Sequence, residues 1–291
     1  MRPYRSARVP CARTLRVAVL TGVTLCLGCG VAGATSPDDA GRDARDPDGH
    51  TVADGARPDA FGADEGVLDG AGPPDAPLAL DGGDAGTGSG VDLRSAAAFA
   101  VLSGSTATST GLTTITGDVG ISPGSALTGF PPGIIVGATH IGDAVTAQAM
   151  IDLTTAYNDA AARSFARVTV DGNLGGRTLA PGLYTSGSSL EITSGDLTLD
   201  GGGDANAVWI FQMGSTFTMT SGRQVFLTGS GRAANVYWEV GSSATIGSTA
   251  VIVGNLMADQ SITLDTGATL TGRALTRIGA VTLDSNMVTL P

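Results

Sequence analysis

The chain has 291 residues and a formal net charge of −11, and all 16 of its basic residues are arginines. No basic stripe is available to neutralise phosphates, which argues against a nucleic acid as partner. The three cysteines lie before residue 30, so the rest of the chain has neither a disulfide nor a thiol nucleophile and must rely on packing and backbone pairing.

Residues 1–34 have the composition of an export signal. Five arginines and no acid are followed by an apolar run from Val17 to Leu27, which is too short for an ordinary transmembrane helix. Two cleavage sites compete. Leu27-Gly28-Cys29 resembles a lipoprotein site at which Cys29 would be lipidated, whereas Ala32-Gly33-Ala34 suits ordinary cleavage before Thr35. The chain is therefore predicted to be exported, and either held at the cell surface by an outer-membrane lipid anchor or secreted.

Residues 35–90 are predicted to form a disordered acidic tether. Asp, Gly, Ala and Pro dominate this segment, and 14 of the chain's 27 acidic residues lie between Asp38 and Asp92. Few apolar side chains are present to offset the entropy of ordering. Fragments such as "DPDGH" lack a full set of calcium ligands, so no metal site is predicted. Residues 91–291 remain as one folded domain, large enough to bury a core.

One segment of this domain has the pattern of a long helix. Asp143 is suited to cap a helix from about Ala144 to Arg163, which is rich in Ala and contains neither Gly nor Pro. Apolar residues recur at Val145, Ala149 and Leu153, on one side of such a helix. We expect that side to pack against the rest of the domain.

Most of the remaining domain consists of short β-prone stretches separated by glycine. The stretches "VWIFQ" and "VYWEV" are apolar on both sides, so one side should face an interior and the other should be covered by the helix. The stretch "TFTMT" has one apolar and one hydroxyl side, and "QVFLTG" and "ATLTGR" would complete a turn. Three strands per coil predict a mainly β fold, an irregular triangular β-solenoid with one long α-helix packed along one face. A short all-β barrel is the alternative.

Four of these stretches share an apolar–Thr–aliphatic pattern, centred on Thr218, Thr245, Thr263 and Thr282. Successive side chains of a strand point to opposite faces, so each Thr should point outward while its neighbours point inward. The four Thr recur after 27, 18 and 19 residues, which suits one turn of a solenoid better than a hairpin. Stacked coils would bring the four hydroxyls into one file, with about 4.7–4.9 Å between rungs.

The domain from Val91 to Pro291 resembles the microbial ice-binding (antifreeze) proteins. The matching stretches include "AAAFAVLSGSTATSTGLTTITGDVGISPG" (96–124), "DLTTAYNDAAAR" (152–163), "LGGRTLAPGLYTSGSSLEI" (174–192), "AVWIFQMGSTFTMTSG" (207–222), "NVYWEV" (235–240) and "GAVTLDSNMVTLP" (279–291). The resemblance implies a discontinuous β-solenoid with a flanking helix, an N-terminal segment that completes one end of the solenoid, and a flat ice-binding face.

Some members of this family carry a Thr-Gly/Ala-x-Thr/Asn pattern on that face, and one complete copy occurs here, Thr266-Gly267-Ala268-Thr269. The stretches aligned with it begin at Ser221, Ser248 and Ser285 and keep only the first hydroxyl. Asp265 and Asp284 should also point outward and hold water in a geometry unlike that of ice, so a weak or moderate ice binder is expected. The predicted ice-binding residues are Thr218, Thr220, Ser221, Thr245, Ser248, Thr249, Thr263, Thr266, Thr269, Thr282 and Ser285.

The sequence does not favour an enzyme. His50 lies in the tether, and His140, just before the helix, has no cluster of Cys, His or acid near it in the sequence, so we interpret it as a cap or turn residue. Trp209 and Trp238 lie in the doubly apolar strands and are expected in the core rather than on a sugar-stacking platform.

We therefore predict an exported monomer without a cofactor that adsorbs to ice through a flat Thr/Ser-rich solenoid face. Binding would require many weak contacts at fixed spacing, which the β-branched Thr can supply with little loss of rotamer freedom. The alternative is a cell-surface adhesive or polysaccharide-binding module without ice activity. The acidic tether, which would project a domain from the envelope, suits either function.

Overall fold

The computed structural model describes residues 88–291. The predicted export signal, the lipidation of Cys29 and nearly all of the predicted tether lie outside the described residues. Among residues 88–291, no helix is both long enough and apolar enough to span a membrane.

The N-terminal part of the domain contains a short 3-10 helix, seven strands and one long helix. The 3-10 helix, Arg94–Ala98, precedes the first strand, and α1 spans Ala144–Ala162. The strands are β1 (Phe99–Ser103), β2 (Thr106–Thr110), β3 (Thr114–Thr116), β4 (Asp118–Ile121), β5 (Ala126–Thr128), β6 (Ile134–Val136) and β7 (Thr139–Ile141).

The part that follows α1 is a run of short strands, interrupted by a second 3-10 turn, Ala233–Asn235. The strands are β8 (Val168–Thr169), β9 (Thr178–Leu179), β10 (Gly182–Ser186), β11 (Leu190–Ile192), β12 (Leu197–Asp200), β13 (Trp209–Met213), β14 (Phe217–Met219), β15 (Val225–Thr228), β16 (Val236–Val240), β17 (Ala244–Ile246), β18 (Val251–Ala258), β19 (Ile262–Leu264), β20 (Thr269–Thr276), β21 (Val281–Asp284) and β22 (Met287–Thr289).

These strands wind into a solenoid with three faces, and every strand pairing within residues 88–291 is parallel. The first face is formed by β8, β10, β13 and β16, the second halves of β18 and β20, and then β1, β4 and β7. The second face has the order β11-β14-β17-β19-β21-β2-β5. The third face is formed by β9, β12 and β15, the first halves of β18 and β20, and then β22, β3 and β6. Within the long strands β18 and β20, the corner between the third and first faces lies at Gly254 and Gly272. The predicted solenoid is therefore confirmed, and the barrel alternative is wrong.

The coils do not follow one another in chain order. The first three strands pair with the last coil, β1 with β20, β2 with β21 and β3 with β22, so the N-terminal coils extend the solenoid beyond the C-terminal one. This arrangement confirms the expectation that the N-terminal segment completes one end of a discontinuous solenoid.

Helix α1 begins at the predicted cap and ends one residue earlier than predicted. The carboxylate of Asp143 accepts hydrogen bonds from the hydroxyl and the backbone N–H of Thr146, at 2.5 and 2.8 Å. These two bonds, together with one from His140, lower the pKa of Asp143 to about 2. At the other end, Nε2 of Gln212 donates to the carbonyl oxygens of Ala160 (2.6 Å) and Arg163 (2.9 Å), which satisfies acceptors that the helix leaves free.

Two cores result from this arrangement. One lies inside the solenoid and contains Trp209 and Trp238, both fully buried as predicted. The other lies between α1 and the first face, where Leu153 and Tyr157 of the helix share a cluster with Ile210. The doubly apolar strands β13 and β16 are thus buried on both sides, and α1 covers their outer side as expected.

Candidate functional site

The second solenoid face presents an outward file of threonines. Strand pairing brings Thr218, Thr245, Thr263 and Thr282 into register on four consecutive rungs. Each of them is exposed or half-buried, whereas the residues on either side are buried. We call this outward surface, built on β11, β14, β17, β19, β21, β2 and β5, the hydroxyl face.

The file is longer than the sequence analysis predicted. Thr108 of β2 pairs with Thr282, and Thr128 of β5 pairs with Thr108, so six rungs in succession carry an outward Thr. At the opposite end the rung position is occupied by Glu191. The signal for Thr108 was present in the alternating stretch "STATST", but nothing in the sequence indicates that this stretch stacks on the last coil.

A second file of hydroxyls, also missed, runs two residues before the first. It contains Ser189, Thr216, Ser243 and Ser261, whose backbones are joined rung to rung, and Thr106 lies in line with them beyond Ala280. The hydroxyls of Ser189 and Thr216 are 2.9 Å apart, within hydrogen-bond distance. The hydroxyl face is therefore at least two side chains wide.

Several predicted residues lie at the corner that joins the hydroxyl face to the third face. Rung-to-rung hydrogen bonds connect Gly222 to Ser248, Thr249 to Thr266, and Gly267 to Asp284. The corner position has a positive φ in each coil, 72° at Gly222, 58° at Thr249, 73° at Gly267 and 55° at Ser285. Only Gly adopts this conformation without steric cost.

The alignment of the last coil predicted from the sequence is wrong by one residue. The sequence pattern aligns Ser285 with Thr266, but the positive φ of Ser285 and its backbone hydrogen bond to Thr110 put it in the position of Gly267. The pairing of Thr269 with Met287, rather than with Val288, shows the same offset. The last turn is one residue shorter than its neighbours, which the count from Thr to Ser alone does not reveal.

Thr249 is expected to be strained at this corner. Replacing Thr249 by Gly should stabilise the domain by about 1 kcal/mol, the usual scale for a non-Gly residue held at positive φ, and raise its melting temperature by about 2–4 °C. Calorimetry measures the shift. The matched variant is Gly222→Ala at the same corner, where the added Cβ meets nothing within 4 Å, so a loss of stability reports the cost of the backbone conformation. Equal melting temperatures for all three proteins would contradict the strain.

The two outward carboxylates differ in their surroundings. Asp284 accepts hydrogen bonds from the hydroxyl of Thr266 at 2.5 Å and from that of Ser285 at 3.2 Å. The hydroxyl proton of Thr266 is therefore committed to a protein acceptor rather than to water. Asp265 is half-buried on the neighbouring rung. Charge thus lies at the corner of the hydroxyl face and beside its Thr file.

Two further predicted residues lie at the edges of the face. Thr220 is exposed just beyond β14, and its hydroxyl lies 3.3 Å from the carbonyl oxygen of Ile192, to which it donates. Thr269 lies past the corner, on β20, where it pairs with Val251 and Met287 of the third face. The structure therefore brings the predicted residues together along the hydroxyl face and its corner, apart from Thr269. Their role in binding stays a prediction.

His140 lies in β7, where Nδ1 is 2.7 Å from Oδ2 of Asp143, and its ring packs edge-on against Phe99 with centroids 5.8 Å apart. His140 is therefore a strand residue rather than the predicted cap or turn residue, although its ring contacts the carboxylate of Asp143, which caps α1. Within residues 88–291, no group of three or more His, Cys, Asp or Glu side chains is arranged to hold a metal ion.

The sequence of the solenoid domain is similar to those of known proteins. The family model described as ice-binding-like matches residues 101–289. An ice-binding protein from Nostoc sp. (strain HG1) is 47% identical over 197 residues, covering 67% of this chain and 72% of the relative. One from Flavobacterium frigoris (strain PS1) is 36% identical over 216 residues, covering 69% and 76%.

Solved structures show the same similarity. The crystal structure of an ice-binding protein from an Antarctic biological consortium has a TM-score of 0.70 and 54% identity, covering 70% of this chain and 93% of that one. That of an ice-binding protein from the Antarctic ascomycete Antarctomyces psychrotrophicus has a TM-score of 0.67 and 40% identity, covering 69% and 98%.

Proposed function

The chain belongs to the ice-binding-like family, and from that membership we propose that it binds ice through the hydroxyl face and slows ice growth or recrystallisation. The observation that carries the proposal is the file of outward Thr on six consecutive rungs, in register from Thr218 to Thr128. Parallel rungs repeat at about 4.7–4.9 Å, which gives the hydroxyls and methyls a fixed spacing.

The physical case rests on rigidity and on many weak contacts. Ice offers no charge and no pocket, so a binder must present a regular surface that is already ordered before contact. The inward neighbours of the four Thr from Thr218 to Thr282, such as Phe217 and Ile262, are buried, which holds these rungs in place. β-Branching restricts χ1 of each outward Thr, and the entropy lost on binding is correspondingly small.

The charges on the face favour moderate rather than strong binding. Glu191 ends the file, and Asp265 and Asp284 lie beside it, where a carboxylate orders water around itself. The bond from Thr266 to Asp284 also removes one hydroxyl proton from contact with ice. We propose that Glu191 limits the usable rungs to those from Thr218 to Thr128. Within that stretch, Asp265 and Asp284 weaken the contact on the rungs of Thr263 and Thr282.

We further propose that the protein is exported as a monomer and held at the cell surface by a lipid on Cys29. The motivation is the basic and apolar composition of residues 1–34 and the acidic segment that follows. Mass spectrometry of the mature N-terminus distinguishes the two cleavage sites. An acylated Cys29 supports the anchor, and an unmodified Thr35 contradicts it.

The proposed function is tested on the mature protein by thermal hysteresis, crystal shaping and recrystallisation inhibition at micromolar concentrations. We expect faceted crystals and a freezing point below the melting point. A glycan array with the same preparation tests the adhesive alternative. Saturable sugar binding without any effect on ice would overturn the proposal and favour an adhesive module.

A further inference from the structure

The third solenoid face carries a second pair of outward files that the predicted site does not include. We call it the mixed face, because methyl-bearing and hydroxyl side chains share it. One file contains Val136, Thr116, Thr289, Thr271, Val253, Phe226, Thr198 and Thr178. The other contains Ile134, Thr114, Met287, Thr269, Val251 and Gln224.

The mixed face exposes more apolar surface than a solvated sheet needs. Ile134 and Val136 are each 56% exposed, Met287 is 57% and Phe226 is 44% exposed. Of the fourteen side chains in the two files, all within residues 88–291, not one is charged. The next position of the second file is Asp196, which pairs with Arg223 at 3.5 Å and ends the uncharged patch. A contiguous uncharged patch on a soluble domain usually marks a contact surface.

The composition of the face indicates which contact it makes. Seven of the eight side chains in the first file are Thr or Val, which have few rotamers and are already ordered before contact. Protein interfaces concentrate binding energy in Trp, Tyr and Arg and surround it with a polar rim. The two files contain none of those three residue types, and only Phe226 and Met287 belong to the other types enriched at interfaces, Phe and Met. Their hydroxyls repeat at the rung spacing. These features suit an ordered water lattice better than a second protein chain.

We propose that the mixed face is a second ice-contacting surface, which takes a crystal plane different from the one bound by the hydroxyl face. This inference rests on the proposed function. The two surfaces meet at the corner occupied by Gly222, Thr249, Gly267 and Ser285, where the chain changes direction. Two faces of a solenoid cannot both lie on one flat plane, so the protein should adsorb to two sets of planes. Thr269, placed past the corner by the structure, belongs to this second surface.

The test uses Tyr substitutions at the centre of each face in the full mature protein, labelled with a fluorophore and adsorbed to a single-crystal ice hemisphere. Thr271→Tyr should remove one set of decorated planes, Thr263→Tyr should remove another, and the double variant should bind no plane. Thr116→Tyr, on the same file as Thr271, is a second probe of the mixed face. Asn158→Tyr on the exposed side of α1 is the matched control and should leave both sets intact.

The outcomes separate this inference from the proposed function. No decoration by the wild type would contradict ice binding altogether. Decoration that Thr263→Tyr abolishes, and that Thr271→Tyr and Thr116→Tyr leave unchanged, would keep the proposed function and overturn the second surface. A wild-type dimer in sedimentation that Thr271→Tyr converts to monomer would also overturn it, because the face would then be an interface between copies. Melting curves establish that each variant is folded.

Discussion

Replacing Thr263 by tyrosine is expected to weaken binding to ice about tenfold, the change that about 1.4 kcal/mol of lost contact energy produces. Thr263 lies in the middle of the file, paired with Thr245 on one side and Thr282 on the other. A side chain that rises above this row lifts the neighbouring hydroxyls and methyls off the lattice, and dispersion contacts fall away within an ångström of separation. Thermal hysteresis and partitioning into a growing ice front measure the loss.

The substitution should leave the fold intact, because the residue points outward and Tyr is a favoured strand residue. Thr263→Ser is the conservative control: it keeps the hydroxyl and removes the methyl and the χ1 restriction, so an intermediate loss is expected. Residual activity in the Tyr variant is assigned to the mixed face. Full activity with an unchanged melting temperature would show that the hydroxyl face does not contact ice.

Much of the fold could be predicted from the residues because the signals are local. The absence of Gly and Pro after Asp143 defined α1 to within one residue, and strand alternation separated buried Phe217 from outward Thr218. Strands that are apolar on both sides predicted that another element covers their outer side, and α1 does so. Each of these inferences depends on contacts within a few residues or on a simple inside–outside distinction.

Other features could not be predicted because they depend on stacking. The alternation of side chains along β2 predicts that Thr108 points outward. It does not predict that the coil containing Thr108 stacks on the coil containing Thr282. It also does not state on which face an outward residue lies, which is why Thr269 was grouped with Thr266 across a corner. The displacement of Ser285 arises from a turn one residue shorter than its neighbours, which the backbone hydrogen bonds, the positive φ and the strand register reveal.

The second prediction with a large effect concerns the core beneath the hydroxyl face. Replacing Trp238 by alanine should destabilise the domain by about 3–5 kcal/mol and lower its melting temperature by about 6–20 °C. Trp238 is fully buried, and its ring stacks on those of Phe211 and Phe217 with centroids 4.2 and 4.8 Å apart. Its Nε1 donates to the carbonyl oxygen of Val253 at 2.9 Å. Thermal unfolding followed by calorimetry measures the loss.

Two comparisons give this result its meaning. Trp238→Phe keeps an aromatic ring in the stack and loses the hydrogen bond, so a smaller loss of about 1–2 kcal/mol is expected. Near 0 °C, where the Ala variant should still be folded, its ice activity should remain close to that of the wild type, since the outward files are unchanged. Thr263→Tyr should show the opposite pattern, with activity lost and stability kept. A Trp238→Ala protein that is folded in the cold yet inactive would instead mean that core packing holds the hydroxyl rungs at the spacing that ice requires.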